Sequence, residues 1–131
     1  MVLLALVLSV VLAAIYLLVG VLKLTTPRDT LLANPRMGWA NDYSARSIKG
    51  IGLAEVLGAV GLVAPWYLWV APVLTPVAAV LLAVLQALAI ATHVRRGESA
   101  VVPGNVVLLA LALVLAALRF YTLAQGPASA Y

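Results

Sequence analysis

VLLALVLSVVLAAIYLLVGVLKL, residues 2–24, is the stretch that decides the fold. Interrupted only by Ser9, Tyr16 and Gly20 before it reaches Lys23, it matches the roughly 20 apolar residues a helix needs to cross the hydrocarbon core of a bilayer. It lacks a charged leader, a small-residue cleavage site and the short apolar core of a signal peptide, so it is expected to be a retained transmembrane helix. The rest of the chain agrees. Of 131 residues, 66% are hydrophobic and 9% charged, and the mean hydropathy is +1.17. Soluble domains average about 45–50% apolar and about 25% charged residues. Eight basic and four acidic side chains cannot cover a water-facing surface of this size. The chain reads as one integral membrane domain, residues 1–131.

Three more apolar runs follow, at about 47–64 (ended by Pro65), 72–93 and 103–121. In the third, Thr75 before Pro76 resembles an N-cap with proline at the first helical position; an earlier start with a kink at Pro76 is the alternative. A tail, 126–131, is too small and polar to form a further element. The expectation is an all-α four-helix membrane bundle with a loop over 25–46. Seven of the eight basic residues (Lys23, Arg28, Arg36, Arg46, Lys49, Arg95 and Arg96) fall at one end, and only Arg119 at the other. The positive-inside rule makes the first end cytoplasmic and puts both termini outside. Trp66, Tyr67, Trp69, Phe120 and Tyr121 are then expected as an aromatic belt at the outer interface. Met37, Trp39 and Tyr43 make the loop amphipathic: it either lies on the inner interface, folds over the bundle mouth, or is a tether.

The net charge of +4 points to anionic lipid headgroups rather than nucleic acid, because the basic residues flank apolar spans. Arg95-Arg96-Gly97-Glu98 reads as a lipid-facing turn on the same grounds. A cysteine-free chain offers no thiol chemistry, iron–sulfur ligation or thiolate zinc site. A lone histidine adds no metal centre. No phosphate-cradling loop, Ser/His/Asp set or two-carboxylate site is present, so nothing in the chain decides whether it is an enzyme.

Polar residues inside the spans are the candidate site. Seven residues are about two helical turns, which aligns Ser9, Tyr16 and Lys23 on one helix, Gln86 and His93 on another, and Asn105, Ala112 and Arg119 on a third. Glu55 stands alone, roughly 13 Å in from Arg46 at 1.5 Å per residue. Ionisable groups cost at least about 2.5–3.5 kcal/mol at the bilayer centre, so these stripes should face inward. Depth predicts a cluster of Lys23, Glu55, His93 and Asn105 near the inner mouth, with Tyr16 and Gln86 deeper, as ligand-binding candidates. Each has a plainer role beside it. Glu55 either pairs with Lys23, serves a ligand or proton, or stays protonated; His93 is an interfacial anchor; Asn105 is a cap; Tyr16 and Gln86 are interhelical hydrogen-bonding groups. Gly50, Ala54, Gly58 and Gly61, with Ala79, Ala83 and Ala87, form small-residue faces expected to pack helix against helix.

Taken together, Lys23-Leu24-x-x-Pro27, Met37-Gly38-Trp39, Gly52-Leu53-Ala54-Glu55-Val56-Leu57-Gly58-Ala59-Val60-Gly61-Leu62, Leu74-Thr75-Pro76-Val77-Ala78-Ala79 and His93-Val94-Arg95-Arg96-Gly97-Glu98 resemble the DoxX-like family of small four-helix bacterial membrane proteins. The likeness covers about residues 5–120. It implies a multi-pass protein of the bacterial inner membrane. Through the membrane subunit of thiosulfate:quinone oxidoreduction that names the family, it also implies a quinone-linked role with Lys23, Glu55 and His93 facing a quinone headgroup. The broader superfamily also includes membrane-protein assembly factors. No side chain here is redox-active, so electron transfer would need a bound cofactor or partner. Three functions are therefore carried forward. The first is a subunit or assembly factor, bound to a partner membrane protein or a second copy. The second is a quinone- or lipophile-binding component of an oxidoreductase, and the third is a proton-coupled carrier.

Overall fold

The computed structural model describes residues 1–126, so the tail expected beyond Gly126 lies outside the described residues. Four long helices carry the fold: α1 (Val2–Thr25), α3 (Ala45–Tyr67), α4 (Leu74–Arg95) and α5 (Val102–Gln125). A short α2 (Arg28–Leu32) and a 3₁₀ segment (Pro35–Asp42) fill the loop between the first two. No strand occurs among the described residues. Each long helix is apolar and long enough to cross a membrane, and large side chains such as Leu3, Leu18, Leu57, Leu81 and Leu88 point outward. Only lipid makes such a surface stable; the chain is a multi-pass membrane protein.

The helices form a ring. α1 packs on α3, α3 on α4, α4 on α5, and α5 returns to α1. Leu8, Leu12, Tyr16, Ala59, Leu62, Ala79, Leu82, Ala83, Leu115 and Ala116 interlock at its centre. The buried face of α3 runs Ile48, Gly52, Glu55, Ala59, Leu62, Trp66, alternating four- and three-residue steps that follow one side of a helix. The four-residue series Gly50, Ala54, Gly58 rotates about 40° per step and leaves that side. Of the residues expected to pack, Gly58 and Gly61 meet Leu82 and Ala78, and Ala79 and Ala83 are buried. Gly50, Ala54 and Ala87 are exposed on the outer surface instead. A further close helix approach is one the spacing did not suggest: a methyl group on Gly20 or on Gly52 would come within 2.8 Å of the other's carbonyl oxygen.

Pro65 does not end α3, which continues to Tyr67. Having no N–H, Pro65 leaves the Gly61 carbonyl without its helical donor. The Thr75 hydroxyl fills that vacancy from α4, donating to Gly61 O at 3.0 Å. Thr75 is thus an interhelical donor and not the expected N-cap; α4 starts at Leu74, with Pro76 in its first turn, where no N–H is needed. Trp66 also departs from the expected belt. It is buried, while Tyr67, Trp69, Phe120 and Tyr121 are exposed.

A cavity under a folded loop

The loop is a lid. Arg28 holds it closed on itself, donating to the carbonyls of Tyr43 (3.0 Å), Ala40 (3.4 Å) and Asn41 (3.3 Å). Leu31, Ala40 and Ile48 form a small core beneath it, flanked by Met37, Trp39 and Tyr43. Lys49 anchors the junction, its ammonium donating to the carbonyls of Lys23, Leu24 and Thr26 at 2.6–3.2 Å. Those carbonyls end α1 and have no helical partner, and a cation suits the negative pole there. At the start of α3, the Ser44 hydroxyl accepts from Ser47 N–H at 3.1 Å and caps the helix.

Beneath the lid lies a cavity of about 370 Å³, walled by all four long helices and by Met37, Trp39 and Tyr43. All six candidate residues line it: Tyr16, Lys23, Glu55, Gln86, His93 and Asn105. The remaining wall is mostly apolar, from Ile15, Val19, Ile51, Leu85, Leu88 and Leu108. Lys23 and Glu55 are paired, Nζ lying 2.8 and 2.7 Å from the two carboxylate oxygens. The ammonium also sits 5.7 Å from the centre of the Trp39 ring. That pairing was one of the readings open for Glu55.

Other side chains do something different from the plainer expectation. The Tyr16 hydroxyl and the Gln86 carboxamide oxygen are buried with no well-formed hydrogen bond among the described residues, although the Gln86 side chain on α4 neighbours the Tyr16 hydroxyl on α1. Asn105 is not a cap: α5 begins at Val102, and its N-terminus has no side-chain cap. His93 is not a free interfacial anchor. Its Nδ1 lies 2.6 Å from Glu98 Oε2, and Arg96 Nε donates to Glu98 Oε1 at 2.7 Å. Arg96 NH1 continues to Asp42 Oδ1 in the lid at 2.8 Å, so this turn clasps the lid and is not simply lipid-facing. The Thr92 hydroxyl donates to Leu88 O at 3.0 Å; its hydrogen is therefore committed, and the Tyr43 hydroxyl is the donor in their 2.9 Å contact.

Glu98 was missed from spacing, and the turn explains both the miss and the contact. Gly97 adopts φ +70° and closes a Schellman motif: Glu98 N–H donates to His93 O at 2.9 Å and Gly97 N–H to Val94 O at 3.1 Å. This folds Glu98 back over His93. The signal was Gly97 just past the helix end, which turns Glu98 back onto His93 five residues before it. Bonds from Arg96 and then His93 hold the Glu98 carboxyl below the usual carboxylate range.

A second polar cluster lies at the other end. Arg119, 2% exposed, donates to Ser9 Oγ (3.1 Å) and Tyr67 Oη (2.9 Å) and stacks 4.1 Å from the Trp66 ring centre. The stripes Ser9–Tyr16–Lys23 and Asn105–Ala112–Arg119 contained this contact, since antiparallel helices bring their opposite ends together. Among the described residues no three His, Asp or Glu side chains gather as a metal site.

A sequence model of the DoxX-like family matches residues 7–115. No curated protein and no solved structure matches the chain.

Proposed function

The chain belongs to the DoxX-like family, and from that premise we propose that it binds a small lipophile, a quinone being the leading candidate, in the cavity beneath the lid. One observation carries this reading: two buried polar atoms, Tyr16 Oη and Gln86 Oε1, have no partner in a cavity that is otherwise largely apolar. A buried unsatisfied polar atom costs about 1–3 kcal/mol, and a ligand with a polar headgroup offsets that cost. A volume of about 370 Å³ suits a ring compound, since small-molecule sites run from about 300 to 1,000 Å³. Apolar walls would take the ring and its substituents, and Tyr16 and Gln86 would hydrogen-bond its oxygens. A quinone would supply the two-electron chemistry that no side chain here provides. The site would sit toward the cytoplasmic face of a bacterial inner membrane.

The role of subunit or assembly factor draws on the small-residue faces; Gly58, Gly61, Ala79 and Ala83 already serve contacts within the chain, which leaves the exposed Gly50, Ala54 and Ala87 for a partner. Carriage through Glu55 draws on a free carboxylate, whereas Glu55 is paired with Lys23. Native mass spectrometry of protein released gently from membranes, with extraction of the bound small molecules, separates these roles. Lipophile binding predicts a ring compound at fixed stoichiometry, lost in the Tyr16→Phe/Gln86→Leu double variant. Recovery of bulk phospholipid alone, or of a co-purified protein with no such compound, would refute it in favour of the subunit role.

A further inference from the structure

Resting on the reading of the cavity as a ligand site, we infer that His93 is a proton acceptor facing the ligand, held in that role by Glu98. The cavity would then prefer a lipophile with an acidic ring hydroxyl, a phenol or hydroquinone, over the matching ether or carbonyl compound. Glu98 receives Arg96 on one oxygen and His93 on the other, at 2.7 and 2.6 Å. Its carboxyl is held below the usual range by those two partners. An ionised carboxylate only accepts, so the proton in the short bond sits on Nδ1 of His93. In the neutral ring this leaves the lone pair on Nε2, and the carboxylate behind Nδ1 fixes that tautomer and the orientation of the ring.

The neighbouring groups leave that lone pair available. Lys23 and Glu55, the other charged residues of the cavity wall, satisfy one another. Arg96 is committed to Glu98 and Asp42, and the Tyr43 hydroxyl to Thr92. Tyr16 and Asn105 complete the polar lining, with Gln86. Proton transfer here breaks the ligand O–H bond and forms Nε2–H; the electron pair stays on the ligand oxygen. The resulting imidazolium is stabilised by the Glu98 carboxylate behind it and is itself the cation beside the ligand's new charge. Glu98 is thus a positioning residue, because it acts through His93.

The test uses the full chain in phospholipid nanodiscs with two probes, 4-nitro-1-naphthol and its methyl ether, against empty nanodiscs as blank. Tryptophan quenching reads affinity, and the visible absorption of the nitronaphtholate reads the proton. The hydroxyl probe should bind on the order of tenfold or more tightly than the ether, as a hydrogen bond to a charge-backed acceptor implies. It should also ionise at lower pH when bound than in empty nanodiscs. His93→Gln should abolish both differences while still binding the ether. Glu98→Gln should shrink the ionisation shift, and Glu98→Asp should restore most of it. Should His93→Gln fail to fold, Glu98→Gln keeps the imidazole and reads the same shift. Equal binding of the two probes, or a shift that survives both His93→Gln and Glu98→Gln, would overturn the inference and leave the cavity reading standing. Binding of neither probe would overturn both.

Discussion

Lys23 and Glu55 show how far a single residue pair can be read in a membrane sequence. An ionisable side chain in an apolar span needs a partner, and helix arithmetic put Lys23 and Glu55 within reach of each other, as their bond confirms. The energetics are asymmetric. Removing one member leaves an uncompensated buried charge, at a cost of about 3–5 kcal/mol, whereas replacing both by apolar residues of similar volume is often near neutral. Lys23→Met and Glu55→Leu should therefore each lower the unfolding temperature in nanodiscs, by an amount on that scale. The double variant should regain most of the loss. If the double variant is as unstable as the sum of the singles, the two side chains are not coupled as the 2.7 Å contact implies. Tyr16 and Gln86 were equally visible as polar residues at depth, but that they lack partners was not, because spacing gives the face of a helix and not the end of a side chain.

At the scale of elements, the hold of the lid on the bundle is expected to be sensitive to acid. It reaches α4 and its C-terminal turn through Tyr43–Thr92 and the Asp42–Arg96–Glu98–His93 chain. The folded Glu98 carboxyl titrates below its unfolded value of about 4.3, held down by Arg96 and His93. A depressed carboxyl contributes stability that is complete above the unfolded pKa and lost as pH falls through the folded one. Hydrogen exchange across residues 28–43, corrected for intrinsic rate, should thus accelerate on acidification below about pH 4. Arg96→Ala should show the faster exchange already at neutral pH. Exchange independent of both pH and Arg96 would mean that Arg28, the Tyr43–Thr92 bond and the Leu31–Ala40–Ile48 core hold the lid without the Arg96–Glu98 chain. The amphipathic composition of this segment was legible in Met37, Trp39 and Tyr43, yet a tether and a lid share it. What decides between them is the Arg28 bonds to three backbone carbonyls, which no spacing encodes.

For the whole molecule, span number and charge asymmetry were legible because hydropathy and Lys/Arg placement are properties of the sequence alone. Which apolar face packs inward was not. Lipid and protein interior are equally apolar, so a small-residue period such as Gly50–Ala54–Gly58 carries no sign of its partner, and two of those three residues are exposed. The two ends of the bundle nonetheless differ in a way that fixes an expected orientation. The lid end carries Lys23, Arg28, Arg36, Arg46, Lys49, Arg95 and Arg96, and the other end only Arg119, which is buried on Trp66 and bonded to Ser9 and Tyr67. Basic residues in short loops are retained on the cytoplasmic side, and a sequestered Arg119 opposes them weakly. The absence of native cysteine makes this measurable with single-cysteine variants at exposed positions, Ala33 in the lid and Val70 between α3 and α4. In intact bacterial cells, a membrane-impermeant maleimide should label Val70→Cys and reach Ala33→Cys only after permeabilisation. Labelling of Ala33→Cys in intact cells, with Val70→Cys protected, would invert the protein. The cavity mouth and its His93–Glu98 pair would then face the outside rather than the cytoplasm.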